Sequence, residues 1–222
     1  IDIAKHFGAG IIYLGADPVI EAAISFLKCA SGNSRNDNDI GAGGISISRL
    51  KDLAASCQSE LGNPDLDVYK FGPPSEGGQA APELLVFYNS LNQTKWMWND
   101  SHNGYVRYQN DPDKPDDFTL SVDRLTGEPV VRQNVIVMKA AHEVENQAGT
   151  IINLDVDHTQ GNAILFRNGA AFPVCWSTLN SVYENKSNRE RPIVFTDCSG
   201  NILNLAKGKT WVNVMDISAE IW

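Results

Sequence analysis

From residue 161 to residue 215 the chain alternates short apolar runs with tight-turn dipeptides. The run at 163–167 leads into Asn168-Gly169, and a second run leads away from it to Trp176. Asn-Gly between two such runs predicts a β-hairpin, because both central residues of a type I′ turn need positive φ. Residues 192–197 and 201–205 flank Ser199-Gly200 in the same way, and Gly208 turns the chain into a last strand over 210–215. Residues 134–138 form an unbroken, mostly apolar run, which predicts a central strand covered on both faces. Residues 151–157 alternate instead, with Ile152, Leu154 and Val156 expected inward and Asn153, Asp155 and Asp157 outward. Further strands are expected at 83–88, 95–99 and 105–108, with turns at Asn103-Gly104 and Thr126-Gly127.

The opening segment carries a different periodicity. Residues 1–7 predict a helix stopped by Gly8 and Gly10, and residues 11–14 a short strand. Asp17 as N-cap and Pro18 at the first helical position open a helix expected to run to about Ala30, stopped by Gly32. Its apolar stripe is Val19, Ala22, Ala23, Phe26 and Ala30. Ser46 or Ser48 caps another helix, with Leu50, Leu53, Ala54, Cys57 and Leu61 on one face. Residues 72–78 are the most linker-like stretch. The expected fold class is therefore α+β: a partial α/β segment over 1–71 with two helices and one or two strands, a linker over 72–82, and a mostly antiparallel β domain over 83–222.

Composition narrows the function classes. A net charge of −9 argues against nucleic-acid binding, because an acidic surface repels phosphate backbones. No apolar run approaches the ~18 residues of a membrane span. The sequence begins at Ile1 and no signal peptide precedes it, so a processed terminus or a piece of a longer protein is expected. The four cysteines form no Cys-x-x-Cys motif. They read either as the disulfides Cys29–Cys57 and Cys175–Cys198 or as buried free thiols.

Candidate chemistry is sparse. Trp96, Trp98, Tyr105 and Tyr108 cluster around one hairpin, either as an aromatic platform for a ligand or partner or as the packed face of a sheet. Asp155, Asp157 and His158 at a strand end are a candidate cation site, as are the hard oxygen donors of two acidic loops. One loop holds Asp37 and Asp39, the other Asp111, Asp113, Asp116 and Asp117. Neither has the EF-hand spacing. His142 and Glu143 read either as an acid–base pair or as solvated side chains of a stretch expected to be a polar loop. Gly-x-Ser-x-Gly, His-Glu-x-x-His and Walker A motifs do not occur, and no cofactor is expected.

Several segments, in this order, resemble the YerB-like lipoprotein family, bacterial proteins of unassigned function built of two halves. They are residues 3–8 with the strand at Ile11, Trp96 with the stretch 104–108, Thr126-Gly127, the strand at 134–137, and the closing hairpins. In those hairpins the resemblance rests on 163–169, Trp176, Phe195, Asp197, Gly200 and 208–212. Members carry an N-terminal signal or lipobox cysteine, and many an Arg- and Pro-His-containing stretch between the opening helices. Neither is found here, and the polar loop at 33–44 stands in place of the second. The resemblance implies an extracytoplasmic, secreted or membrane-tethered protein and supplies no catalytic residues. Two functions are therefore expected. The first is a non-catalytic binding or scaffolding protein of the cell envelope, acting on an envelope protein partner or in a larger assembly. It would bind no nucleic acid and meet the membrane only through a lipid anchor or a segment absent from this chain. The second is an envelope hydrolase acting on glycan or peptide through carboxylates such as Asp155 and Asp157.

Overall fold

The computed structural model describes residues 2–13, 18–25, 30–32, 46–57, 64–144, 152–189 and 191–219. The chain divides into two compact units. One comprises Ile1–Leu66 with Thr178–Ile193, the other Asp67–Ser177 with Val194–Trp222.

In the smaller unit, α1 (Asp2–His6) ends at Gly8, whose φ of +56° lets the amides of Gly8 and Ala9 reach back to the carbonyls of Lys5 and Ala4. β1 (Ile11–Tyr13) and β2 (Ala30–Gly32) pair in parallel around α2 (Pro18–Ser25). This corrects the expectation of one helix reaching Ala30 with Gly32 as its stop. Parallel strands need a crossover between them, and backbone pairing with β1 overrides the apolar stripe that residue periodicity extended to Ala30. α3 (Ile47–Cys57) is capped by Ser46, whose hydroxyl accepts the Arg49 amide at 3.2 Å. Its expected apolar face is mostly open, with Leu50 and Ala54 exposed and Leu53 half-buried. α4 (Val182–Ser187), which strand periodicity did not predict, opens on a capping box formed by Ser181 and Glu184. Glu184 is fully buried and accepts a 2.8 Å bond from Arg191 Nε, while the Arg191 carbonyl lies 3.2 Å from His6 Nδ1. Burial alone would raise the Glu184 carboxyl, but the hydrogen bonds from Arg191 and Ser181 outweigh it and hold the group below the ordinary glutamate range.

The larger unit is a two-layer β-structure. One sheet is an antiparallel meander of β5 (Glu83–Asn89), β6 (Asn92–Asn99), β7 (Gly104–Asp111) and β8 (Lys114–Leu120), with β9 (Val131–Arg132) also on β7. The other is centred on β10 (Asn134–Val144), which pairs antiparallel with β11 (Ile152–Asp155) and β12 (Gln160–Arg167) and in parallel with β16 (Thr210–Asp216). β12 leads into β13 (Ala170–Ser177), which pairs with β4 (Gln79–Ala80) and β14 (Val194–Thr196). A short parallel pair, β3 (Lys70–Phe71) with β15 (Asn204–Leu205), completes the unit.

Register fixes what each face buries. Val135 stands beside Phe166, and Phe166 beside Ala171; Ile136, Leu165 and Phe172 form the next row and point the other way. The first row packs on Leu84, Val86, Trp96 and Tyr105 of the meander. Residues 134–138 are buried on both faces, as the apolar run predicts. The Asn168-Gly169 hairpin is present, with φ of +54° and +71°. Trp176 crosses β12 over Gly161 to donate to the Lys139 carbonyl at 2.8 Å; a Cβ at residue 161 would sit 2.7 Å from the indole nitrogen. The Cys175–Cys198 disulfide is formed, with Cα atoms 4.9 Å apart. Cys29, and with it the expected Cys29–Cys57 pair, lies outside the described residues. Of the alternating run 151–157, Val156 is buried but Ile152 is exposed, because β11 pairs only with the solvated end of β10, Ala141 to Val144.

Arg167 is almost fully buried and faces no carboxylate among the described residues. Its guanidinium instead donates to the carbonyls of Asn204, at 2.6 Å, and Gly72, at 3.0 Å, tying the start of β15 and the residue after β3 to β12. Arg167→Ala should lower unfolding free energy by about 3 kcal/mol in urea titration, the value of two charge-assisted bonds whose buried acceptors are left unpaired; a change under about 0.5 kcal/mol, the range of an ordinary surface substitution, would show the tie to be dispensable. Glu184 adds a pH dependence. Its folded value lies below its unfolded one, so its contribution is complete above the unfolded value of about 4.3 and disappears as pH falls through the folded value. Glu184→Gln should therefore destabilise the protein near neutrality by roughly 2 kcal/mol and show a much smaller deficit at pH about 3, measured by denaturation at both pH values.

Candidate functional site: the polar end of the sandwich

The inward face of the meander changes character along its length. Leu84 stands opposite Trp96 and Trp96 opposite Arg107, while Thr94 stands opposite Gln109. Opposed residues share a face, so Arg107 and Gln109 continue the surface that Leu84, Val86 and Trp96 begin. Arg132 on β9 is brought to the same face by its register with Tyr105. The second sheet supplies Trp211 and Asn213 from β16. Trp96 meets Trp211 edge to face at 5.5 Å, which marks where the apolar core ends.

Beyond that contact the groups are polar and basic. Arg107 donates to Ser121 Oγ at 2.8 Å, to Thr94 Oγ1 at 3.2 Å and to Gln109 Oε1. Gln109 is itself oriented by donating to the Gln93 carbonyl at 2.9 Å and to Asn110 Oδ1 at 3.0 Å. The Arg107 and Arg132 guanidiniums lie 5.3 and 5.4 Å from the Trp211 ring centre, within cation–π range. Asn213 accepts from both Tyr88 Oη, at 3.1 Å, and Trp211 Nε1, at 3.2 Å. Burial lowers the Arg107 guanidinium; the Tyr88 phenol opposes that shift and Arg132 adds to it. Burial raises the Tyr88 phenol, with Arg107 pulling the other way. Arg107, Arg132 and Trp211 are each half-buried, and among the described residues neither guanidinium is paired with a carboxylate. Trp96 Nε1 and Arg107 Nε are buried donors without an acceptor. The arrangement can hold acceptors and negative charge; its Ser121 and Thr94 hydroxyls accept from Arg107.

The residues singled out from sequence are distributed differently. Trp96 and Tyr105 are fully buried in the core, and the Tyr105 hydroxyl donates to the Ala81 carbonyl at 2.7 Å. Trp98 is half-buried over Gly169, its indole nitrogen donating to Asp100 at 2.7 Å. Tyr108 stands opposite Lys95, on the other face of the sheet from Trp96 and Trp98. The four rings thus do not share one open surface. Asp155 and Asp157 are exposed, on either side of fully buried Val156, and His158 lies 3.8 Å from Asp157 in the following turn. Such exposure offers no desolvated setting in which one carboxyl becomes an acid and the other a base. Among the described residues no three His, Cys, Asp or Glu side chains converge as a metal site. Asp37 and Asp39 lie outside the described residues. Asp111 and Asp113 form the β7–β8 turn, where Asp111 accepts the Asp113 amide at 2.9 Å. His142 belongs to β10 and sits 3.4 Å from Asp216 rather than in a loop.

Residues 84–212, more than half of the chain, match the C-terminal domain of DUF3048, a family described as protein of unknown function. The chain belongs to this family. Over 100 residues it is 30% identical to the Bacillus subtilis (strain 168) protein named "Putative lipoprotein YerB"; the match covers 45% of this chain and about a quarter, 26%, of that protein's length. The crystal structure of the YerB protein from Bacillus subtilis superposes with a TM-score of 0.67 at 19% identity, covering 99% of this chain and 72% of that one. That likeness is one of fold. The DUF3048 match takes in Arg107 and Arg132 and reaches to Val212, so both guanidiniums and the Trp211 ring they lie against come from the family domain. Sequence reasoning missed the cluster because its members lie on β7, β9 and β16; the available pointer was that two of the family-like stretches, 104–108 and 208–212, contain Arg107 and Trp211.

A fold-supporting arginine and a ligand-facing one differ in what their removal does. Arg132→Gln gives up a cation–π contact of about 0.5–1 kcal/mol and removes repulsion with Arg107. Its unfolding free energy should stay within about 1 kcal/mol of the parent or rise slightly. A loss beyond about 2 kcal/mol would make Arg132 a structural residue.

Proposed function

We propose that this DUF3048 protein is a non-catalytic binding component of the bacterial cell envelope. It acts outside the cytoplasm, on an envelope partner or within a larger assembly, and takes no cofactor. One observation carries the reading: two half-exposed guanidiniums gather on Trp211, and among the described residues no carboxylate pairs with either. A fold places uncompensated like charges together at a cost, and binding sites are where such costs recur. The extracytoplasmic location is supported by the name of the Bacillus subtilis relative, which describes a lipoprotein. The Cys175–Cys198 disulfide agrees with an oxidising compartment. Among the described residues no helix is long and apolar enough to cross a membrane.

The test has two parts. Protease added to intact host cells should degrade the tagged protein while a cytoplasmic marker survives; protection until lysis would place it inside. Purified protein incubated with solubilised native envelope should recover a specific partner that Trp211→Ala recovers at least about five-fold less, a loss of roughly 1 kcal/mol. Recovery of nothing specific, or equal recovery by the variant, would overturn the binding role.

A further inference from the structure

We infer that the polar end of the sandwich binds an oxyanion, a carboxylate or phosphate group, between the Arg107 and Arg132 guanidiniums at Trp211. This names the ligand chemistry of the binding role above and rests on it.

The first argument is charge. The protein carries a net charge of −9, yet this cluster gathers two cations and, among the described residues, no acid paired with them. Both guanidiniums lie against one ring, at 5.3 and 5.4 Å, so their fields overlap across a distance comparable with the Debye length, about 10 Å at 0.1 M salt. An anion between them removes the repulsion and gains two charge-assisted contacts.

The second argument is hydrogen-bond inventory. Every acceptor around Arg107 is neutral: the Ser121 and Thr94 hydroxyls and the Gln109 amide oxygen. They fix the plane of the guanidinium without cancelling its charge. Arg132 spends one donor on the adjacent Val131 carbonyl at 2.7 Å and engages no other protein acceptor among the described residues. The unpartnered polar atoms at this end, Trp96 Nε1 and Arg107 Nε, are both donors. A surplus of donors is matched by a ligand that only accepts, as carboxylates and phosphates do. Arginine's planar fork suits such groups better than a lysine would.

The third argument is preorganisation. Gln109 is locked by the Gln93 carbonyl and Asn110, and Trp211 by Asn213, which Tyr88 also binds. Arg107 is thus held by Thr94 on β6, Gln109 on β7 and Ser121 just past β8, and Trp211 by Asn213 on its own strand β16, a frame carried mostly by strands, which favours a site that does not reorganise on binding.

The experiment is calorimetric titration of the purified chain with inorganic phosphate and, separately, with N-acetylalanine, which carries one carboxylate. At least one should bind saturably. Arg132→Gln should weaken it by about ten-fold or more, and Arg107→Lys, which keeps charge but loses the fork, should retain part of the affinity. The same ligand should raise the thermal midpoint of the parent and not that of Arg132→Gln. Binding by phosphate alone, by the carboxylate alone or by both supports the site and assigns its source. No saturable binding by either, or undiminished binding by Arg132→Gln, overturns it. Saturable titration with no envelope partner sinks the envelope role and leaves the site. Specific envelope recovery with no saturable binding of either ligand sinks the site and leaves the role.

Discussion

The larger unit depends on burying β10 from both sides. Val135, Ile136, Val137 and Met138 are each fully buried, and alternate residues point to opposite faces. Each such side chain contributes roughly 1.5–3 kcal/mol when removed from water, so leaving either face open would forfeit a large part of the stability of an ordinary domain. One face is covered by the meander, through Leu84, Val86, Trp96 and Tyr105. The start of the strand is pinned by Asn134, whose buried amide accepts the Ala206 amide at 2.8 Å and donates to the Ala206 carbonyl at 2.9 Å. That reciprocal pair delivers the chain to Thr210, where β16 begins its parallel run along β10. Trp211 is therefore placed by the same constraint that builds the core.

How far the sequence reveals this depends on the range of the interaction. The strand at 134–138 and the Asn168-Gly169 hairpin are legible because burial on both faces and positive φ leave local signatures. The Cys175–Cys198 pairing is legible because it joins neighbouring hairpins. The parallel pairing of β16 with β10 is not, since it joins segments more than seventy residues apart and no local pattern encodes a partner. The helix at Val182–Ser187 could have been read: Ser181 and Glu184 stand in capping-box spacing, but the surrounding strand signals outweighed it. At β2, hydrogen bonding to β1 won over a helical stripe.

The site was less legible than the fold, for a related reason. Aromatic residues dense in sequence, Trp96, Trp98, Tyr105 and Tyr108, draw attention to one hairpin, yet alternation sends Tyr108 to the far face and packing takes Trp96 and Tyr105 into the core. Arg107, between Tyr105 and Tyr108, reads in sequence as an ordinary solvent-facing charge. Only register shows that it shares a face with Trp96 and meets Trp211 and Arg132 from other strands.

The arginines of this chain can be separated by what neutralises them. Arg191 is matched by buried Glu184 at 2.8 Å, and Arg189 by buried Asp65 at 3.0 Å. Arg167 has no acid, but two backbone carbonyls take its guanidinium and join three chain segments in return. Each of these has a structural explanation in full. Arg107 and Arg132 do not: hydroxyls, amides and an indole hold them in place, and nothing among the described residues cancels their charge. Were Arg107 present only to fill the space beside Trp96, an apolar side chain would extend the core at lower electrostatic cost, as replacements of buried ionic groups by well-packed apolar ones often do. The fold instead surrounds that charge with neutral acceptors and sets a second cation against the same ring, an arrangement that a negative group from outside the chain would complete.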